Sequence, residues 1–249
     1  SDRIQVMDPS SQSREKRLAN QDLLISCIVP VLNEAALIKR FLEALQSQLH
    51  PISPRVEIIV IDDGSTDETS SLVEHLTSSQ PSIKLLRFSR NFGKEQAIAA
   101  GLKYCRGDVA IIIDADFQHP LELIPTFLTK WTEGYDMVYG VRNDREDQST
   151  LRRFFSRLFY KLLDTMTNVK IPANAGDFRL IDRSAINTLN QCEERTRFMK
   201  GLYAWIGYKS IAIPFHVANR PAGKSQHHYR RLTELALTGF ISFSDVPLR

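Results

Sequence analysis

Three stretches of this chain are apolar almost without interruption: LLISCIVPV (Leu23–Val31), VEIIVI (Val56–Ile61) and DVAIII (Asp108–Ile113). A strand with one wet face alternates in polarity. Runs like these belong to strands covered on both faces, the habit of parallel sheets. IKLLRFS, from Ile83, and DMVYGV (Asp136–Val141) are two further strand candidates. Between the strands lie helical patterns, one opening at Asn33 and Glu34 and reaching about Gln48, another Ala-rich and ending at Tyr104. Strand and helix in alternation predict βαβ units: an α/β fold with a mostly parallel central sheet and helices on both faces.

The length of 249 residues suits one large α/β domain or two small ones, 43% hydrophobic residues supply a core, and no linker long enough to separate two independent domains is present. The 32 basic and 29 acidic residues leave a net charge of +3, without the clustered basic face of a nucleic-acid binder. Cys27, Cys105 and Cys192 are odd in number and far apart. They offer neither a disulfide framework nor a CxxC metal spacing, and read as packed thiols in a reducing compartment. No run reaches the roughly 18 apolar residues of a membrane-spanning helix. Residues 1–22 are polar and aperiodic, and read as a disordered N-terminal tail.

After Arg142 the pattern changes. LRRFFSRLFYKLLDTM, from Leu151, is basic and amphipathic. Two readings stay open for it: an interfacial helix with Phe154, Phe155, Phe159 and Tyr160 toward lipid, or a core-packed helix with a solvated basic face. GDFRLIDRSAI, ERTRFMKGLYAWIGY, a strand SIAIPFHV and a last helix near 229–243 follow. The chain stops at FISFSDVPLR with apolar content rising, as a domain cut ahead of a further segment would.

The chemistry-bearing residues fall where the strands end. IIIDADFQHP closes its apolar run with Asp114 and Asp116, two positions apart. Strand alternation would put both carboxylates on one face. In an open α/β sheet, ligands bind beyond the carboxyl ends of the strands. Two carboxylates together there repel unless a cation sits between them, and a hard divalent ion bridging phosphate oxygens is one occupant; Gln118 would add an amide oxygen. The alternative is a solvated acidic turn. IDDGSTDE places Asp62 and Asp63 before Gly64, where they could accept hydrogen bonds from a base or ribose, while Ser65 or Thr66 could cap the following helix. VPVLNE brings Pro30 and Glu34 to a strand-to-helix junction. RNFGKE flanks a glycine with Arg90 and Lys94 at a helix start, which suits a phosphate or is simply a surface loop. A doubly wound sheet gathers all four turns at one edge, and that convergence outweighs each motif alone.

VPVLNE, IDDGSTD, RNFGKE and DADFQHP, in this order and spacing, resemble family 2 glycosyltransferases of the GT-A (nucleotide-diphospho-sugar transferase) fold. GDFRLIDR and ERTRFMKGLYAWIGY resemble the polyprenyl-phosphate branch, that of bactoprenol glucosyltransferases and, more distantly, dolichol-phosphate mannose synthases. The resemblance runs from about Leu24 to Arg249. It implies a catalytic domain over 23–228 and a juxtamembrane amphipathic helix over 229–249 that leads into a membrane anchor. It implies a metal-dependent, inverting hexosyltransferase at the cytoplasmic face of the cell membrane. The donor would be a nucleotide-diphosphate sugar such as UDP-glucose and the acceptor a polyprenyl phosphate such as undecaprenyl phosphate. Pro30, Glu34, Asp62, Asp63, Lys94 and Asp114 would then hold the nucleotide sugar, and Asp114, Asp116 and Gln118 would bind Mg²⁺ or Mn²⁺. Asp116, Arg142, Asp177 and Arg179 would form the catalytic set, with Asp177 a base or, preferably, an orienting group. Arg220, Lys224 and Ser225 would receive the acceptor phosphate. The family's R-x-x-G-x-[S/T]-K run reads RPAGKSQ here, so Gln226 replaces the last lysine and Lys224 would supply the charge from a shifted position. Two alternatives stay open: the same chemistry with GDP-mannose, a UDP-N-acetylhexosamine or a UDP-modified pentose, or a nucleotide-sugar-binding module with weakened catalysis. A homo-oligomer is equally open. The QxxRW motif of processive synthases is absent from the sequence.

Overall fold

The computed structural model describes residues 14, 22–143, 175–192 and 199–216. Its strands are β1 (Ile25–Val31), β2 (Val56–Asp62), β3 (Ile83–Arg87), β4 (Val109–Ile112), β5 (Met137–Arg142), β6 (Ala175–Asp182) and β7 (Ser210–Phe215). Its helices are α1 (Ile38–Leu49), α2 (Thr69–Ser79), α3 (Lys94–Tyr104), α4 (Ile124–Thr132), α5 (Arg183–Gln191) and α6 (Met199–Trp205). The strands form one sheet in the order β3-β2-β1-β4-β6-β5-β7. Every pairing is parallel except those of β6, which runs antiparallel to both β4 and β5.

The apolar runs behave as their continuity predicts. Cys27, Val29, Ile58, Val60, Val109 and Ile111 point to one core, with α1 and α4; Ile28, Ile59, Ile61, Ala110 and Ile112 point to the other, with α3, α5 and α6. Helices therefore cover both faces. Trp131, Phe41, Phe127 and Phe178 are the largest fully buried side chains, each worth about 1.5–3 kcal/mol of transfer free energy. Cys27 and Cys105 are buried free thiols. Among the described residues, no helix is long and apolar enough to cross a membrane.

β6 is the departure from simple strand–helix alternation. Its pattern mixes Asp177 and Arg179 with Phe178 and Leu180, so GDFRLID reads as a motif before it reads as a strand. β6 runs antiparallel to both of its neighbours, β4 and β5. The reversal puts the start of β6, Gly176 and Asp177, at the edge where β1, β2, β4 and β5 end. α1 also begins later than the sequence suggests, at Ile38. The backbone N–H groups of Asn33, Glu34 and Ala35 are taken by Ser65 Oγ (2.9 Å), Thr69 Oγ1 (2.9 Å) and Asp67 Oδ2 (3.2 Å), which holds that stretch as a turn.

Arg14 lies inside the segment expected to be a tail. It is buried there, donating to Asp136 Oδ1 at 2.7 Å and stacking on Trp131 with Cζ 5.3 Å from the ring centroid. At this residue the chain is held against the domain.

Candidate active site

The site is built from the turns at the carboxyl edge, and the first two are laced together. Asn33 adopts φ +56° after β1, and its Oδ1 accepts the Thr66 N–H at 2.8 Å. Ser65 and Thr66 therefore bind the neighbouring turn. They do not cap α2, which begins at Thr69 behind a Glu68 N-cap that makes no side-chain cap bond. Pro30 is buried in β1 one residue before its end.

Asp62 and Asp63 are both buried, and both carboxylates are engaged by neighbouring turns. Asp62 accepts from Ser65 N–H at 2.8 Å and from the Ser70 hydroxyl. Asp63 accepts from Phe92 N–H at 2.7 Å and Gly93 N–H at 2.9 Å, which fastens the RNFGK loop to the end of β2. Gly64 makes this possible. At φ +75°, a Cβ there would lie 2.5 Å from the Arg90 carbonyl carbon.

That loop delivers Lys94 at the first position of α3. Its ammonium stands 2.7 Å from Asp114 Oδ1, 2.8 Å from Asp114 Oδ2 and 2.7 Å from Asp177 Oδ2. Burial alone would lower the Lys94 ammonium's pKa, but Asp114 and then Asp177 more than reverse that and hold it well above the ordinary lysine range. Burial alone would likewise raise the Asp177 carboxyl, yet Lys94, with help from Lys200 and Arg179, holds it well below the carboxylate range. Asp177 is thus an ionised, poorly basic carboxylate. Its second oxygen is buried and has no hydrogen-bond partner among the described residues.

Asp114 and Asp116 lie beyond the end of β4 at Ile112, so pleat alternation does not place them. A tight turn does: Phe117 sits at φ +58°, and Asp116 Oδ1 accepts the Gln118 N–H at 3.0 Å. Arg142, at the end of β5, donates to Gln118 Oε1 at 3.1 Å. Among the described residues, no group of three or more His, Cys, Asp or Glu side chains gathers as a metal cluster.

Arg179 is brought near but kept below the surface. It is 3% exposed, its Nη2 donates to Gly176 O at 2.8 Å, and its Cζ lies 3.7 Å from the Tyr203 ring centroid. Three neighbours were not singled out from sequence. Glu95 follows Lys94 and accepts the Met199 N–H at 2.7 Å. His119 is buried against Phe178 and Phe215, with Nδ1 3.9 Å from Asp114 Oδ2 and no hydrogen-bond partner for Nδ1 among the described residues; burial lowers its pKa against the opposing pull of Asp114 and Asp116. Tyr203 lies under Arg179. Glu95 and His119 stand inside RNFGKE and DADFQHP, where adjacency to the motif residues was the available signal. Arg220, Lys224, Ser225, Gln226, the helix expected from Leu151 and the segment 229–249 lie outside the described residues.

The family model described as "Glycosyl transferase family 2" matches residues 26–189. The chain is 42% identical over 90% of its length to an uncharacterized glycosyltransferase of Synechocystis sp., of which it covers 71%. It is also 42% identical, over 90% of its length, to a prophage bactoprenol glucosyl transferase homolog of Escherichia coli, of which it covers 74%, and to a bactoprenol glucosyl transferase of Shigella phage SfV, of which it covers 73%. Among solved structures, a mannosyltransferase from Pyrobaculum calidifontis in complex with GDP-Man and Mn²⁺ superposes with a TM-score of 0.60 at 21% identity, over 94% of this chain and 71% of that one. Glucosyl-3-phosphoglycerate synthase from Mycobacterium tuberculosis, in complex with Mn²⁺, UDP and phosphoglyceric acid, gives 0.58 at 17% identity, over 92% and 81%. These two share the fold, GT-A in type. The matched span runs from β1 to the helix behind Asp177, taking in each turn of the carboxyl edge, and the chain belongs to glycosyl transferase family 2.

Proposed function

We propose that this glycosyltransferase moves a hexose, glucose from UDP-glucose, onto a polyprenyl phosphate such as undecaprenyl phosphate at the cytoplasmic face of the membrane. The observation that carries this reading is the meeting of Asp114, Asp116 and Gln118 with Lys94 and Arg142 at one sheet edge: acidic groups and cations in one place suit a metal-bound diphosphate beside a second phosphate. The names of the 42% identical relatives support the lipid acceptor and the glucosyl group.

The carboxylates of Asp114 and Asp116 and the amide oxygen of Gln118 are hard donors of the kind Mg²⁺ and Mn²⁺ prefer. The contacts of Lys94 with Asp114 and of Arg142 with Gln118 support this reading, since both oxygens already hold cationic partners. A divalent ion there would neutralise charge on the departing diphosphate. Pro30 and Glu34 border the base and ribose end, and Asp62 and Asp63 shape it by ordering the turns around it. Arg142 screens one phosphate from the other. The acceptor is a phosphate ionised near neutral pH, so it needs no general base, and Asp177, at the start of β6, serves to orient it. Arg179 acts from below, holding the Gly176 carbonyl and so the start of β6. Arg220, Lys224 and Ser225 receive the acceptor phosphate. Attack of a phosphate oxygen on the anomeric carbon, with loss of the nucleoside diphosphate from the opposite side, inverts that centre and gives a β-linked lipid from an α-linked donor.

The test is transfer from radiolabelled UDP-glucose, GDP-mannose and UDP-N-acetylglucosamine to undecaprenyl phosphate in detergent, with Mn²⁺ or with chelator. Metal-dependent label in the lipid fraction from UDP-glucose supports the reading. Label from another donor alone moves the specificity, and no lipid product from any donor overturns the acceptor assignment.

A further inference from the structure

We propose that Lys94 is a displaceable positioning cation: it bridges Asp114 and Asp177, and a divalent ion bound at Asp114 drives it off. This rests on the reading of Asp114 as a metal ligand.

The ammonium contacts both oxygens of Asp114 and one of Asp177, all within 2.8 Å. Asp114 belongs to the turn after β4, on the donor side. Asp177 opens β6, on the side assigned to the acceptor. A single side chain therefore joins the two halves of the site. A divalent ion on the Asp114 oxygens would stand within a few ångströms of the ammonium, and the two cations repel. Lys94 has the means to leave. Its side chain is 39% exposed against 24% for Asp114 and 18% for Asp177. It also follows Gly93, whose surroundings are open to 4 Å at its Cβ position. A lysine gives a mobile point charge on a flexible stem, where an arginine fork would be geometrically committed. Displacement uncovers Asp177, whose other oxygen already lacks a partner among the described residues. Donor loading thereby opens the acceptor side, so the acceptor site becomes available only after the donor is bound.

The test needs no variant. The chain is treated with an amine-reactive methylating reagent with and without Mn²⁺ alone, and labelling of Lys94 is read by mass spectrometry; Mn²⁺ binding is followed in parallel by electron paramagnetic resonance. Labelling at Lys94 is expected to rise at least several-fold as Mn²⁺ saturates, and the rise to vanish in Asp116→Ala. Mn²⁺ saturation with Lys94 labelling unchanged would overturn the displacement while leaving the metal assignment intact. Failure of Mn²⁺ to bind, with or without UDP, would remove the metal assignment and this proposal with it. Addition of UDP with Mn²⁺ is expected to protect Lys94 again, as the diphosphate takes up the released ammonium; continued labelling in that state would refute the diphosphate as its second partner.

Discussion

Glu95 Oε2 accepts the backbone N–H of Met199 at 2.7 Å, a contact between residues 104 apart in sequence that joins the first turn of α3 to the first residue of α6. Burial, and then the nearby Asp177 charge, push the Glu95 carboxyl up to about 7 from an ordinary 4.5, against the opposing pull of the Met199 N–H and of Lys200 and Lys94. The folded protein therefore binds a proton that the unfolded chain has released between those two values. Stability contributed at this position is lost as pH rises from about 4.5 to about 7, and is flat above. Glu95→Gln keeps an acceptor for Met199 and removes the charge. It should match the wild type at pH 5 and exceed it at pH 8, by roughly 3 kcal/mol at most. Thermal melts of both proteins at the two pH values check this; a difference that does not grow with pH sinks it.

Gly64 and Gly93 both have positive φ, +75° and +101°, but their surroundings differ. A Cβ on Gly64 meets the backbone of Arg90 and Asn91 at 2.5–2.9 Å, whereas one on Gly93 meets nothing within 4 Å. Gly93→Ala should carry backbone strain alone, about 1–3 kcal/mol. Gly64→Ala should carry similar strain and also push the RNFGK loop off Asp63, taking Lys94 with it. We expect Gly64→Ala to lower both melting temperature and transfer rate, and Gly93→Ala to lower chiefly the former. Equal losses of activity in the two variants would show that loop placement is not the cause.

Continuity of apolar residues made the strands of the parallel half legible, because burial on both faces leaves few polar positions, such as Ser26 and Glu57, to confuse the period. The same logic failed at β6, where Asp177 and Arg179 alternate with core residues and the antiparallel direction depends on where the chain returns from, which local composition does not encode. The convergence of four turns at one edge was readable. The salt bridges of Lys94 to Asp114 and Asp177 were not, because Asp63 places its loop from another strand. The pairing of Asn33 with Thr66 was hidden for a similar reason. Ser65 and Thr66 stand where a cap is expected, and only the adjacency of β1 and β2 offers them a better partner.

Asp116 separates the metal reading from a purely ammonium-based one. The Lys94 ammonium is placed on Asp114 and Asp177, while one oxygen of Asp116 accepts the Gln118 N–H and orders the turn. Asp116→Ala should reduce metal-dependent transfer by about 10²–10³-fold, the equivalent of a few kcal/mol of lost charge stabilisation. Asp116→Asn, which retains an acceptor for Gln118, should preserve the turn and still lose most of the rate. Initial rates against Mn²⁺ concentration provide the check. If Asp116→Asn turned over normally at the same metal concentration, the carboxylate would have a structural role only.

At the opposite end of the sheet, Glu57 offers a stability effect without a catalytic one. It is 5% exposed in β2 and accepts from the Ser26 hydroxyl of β1 at 2.6 Å, from the Lys84 ammonium of β3 and from the Arg106 N–H. Burial alone would raise its pKa; Lys84, Ser26 and Arg106 together outweigh burial and lower it below 4.5. Because the folded value lies under the unfolded one, the stabilisation is complete above about pH 4.5 and disappears as pH falls through the folded value. Glu57→Gln cannot accept from all three donors and leaves Lys84 without its counter-charge. It should cost about 1.5–3 kcal/mol at pH 7, the range for hydrogen bonds to a charged group, and less as the pH is lowered. Its KM for the nucleotide sugar should stay unchanged, since β1, β2 and β3 carry their site residues at the far ends. Urea melts at pH 7 and pH 4 together with steady-state kinetics test both halves: a pH-independent penalty would remove the charge from the explanation, and a shifted KM would mean that strain at this end of the sheet travels its length to Asp62 and Asp63.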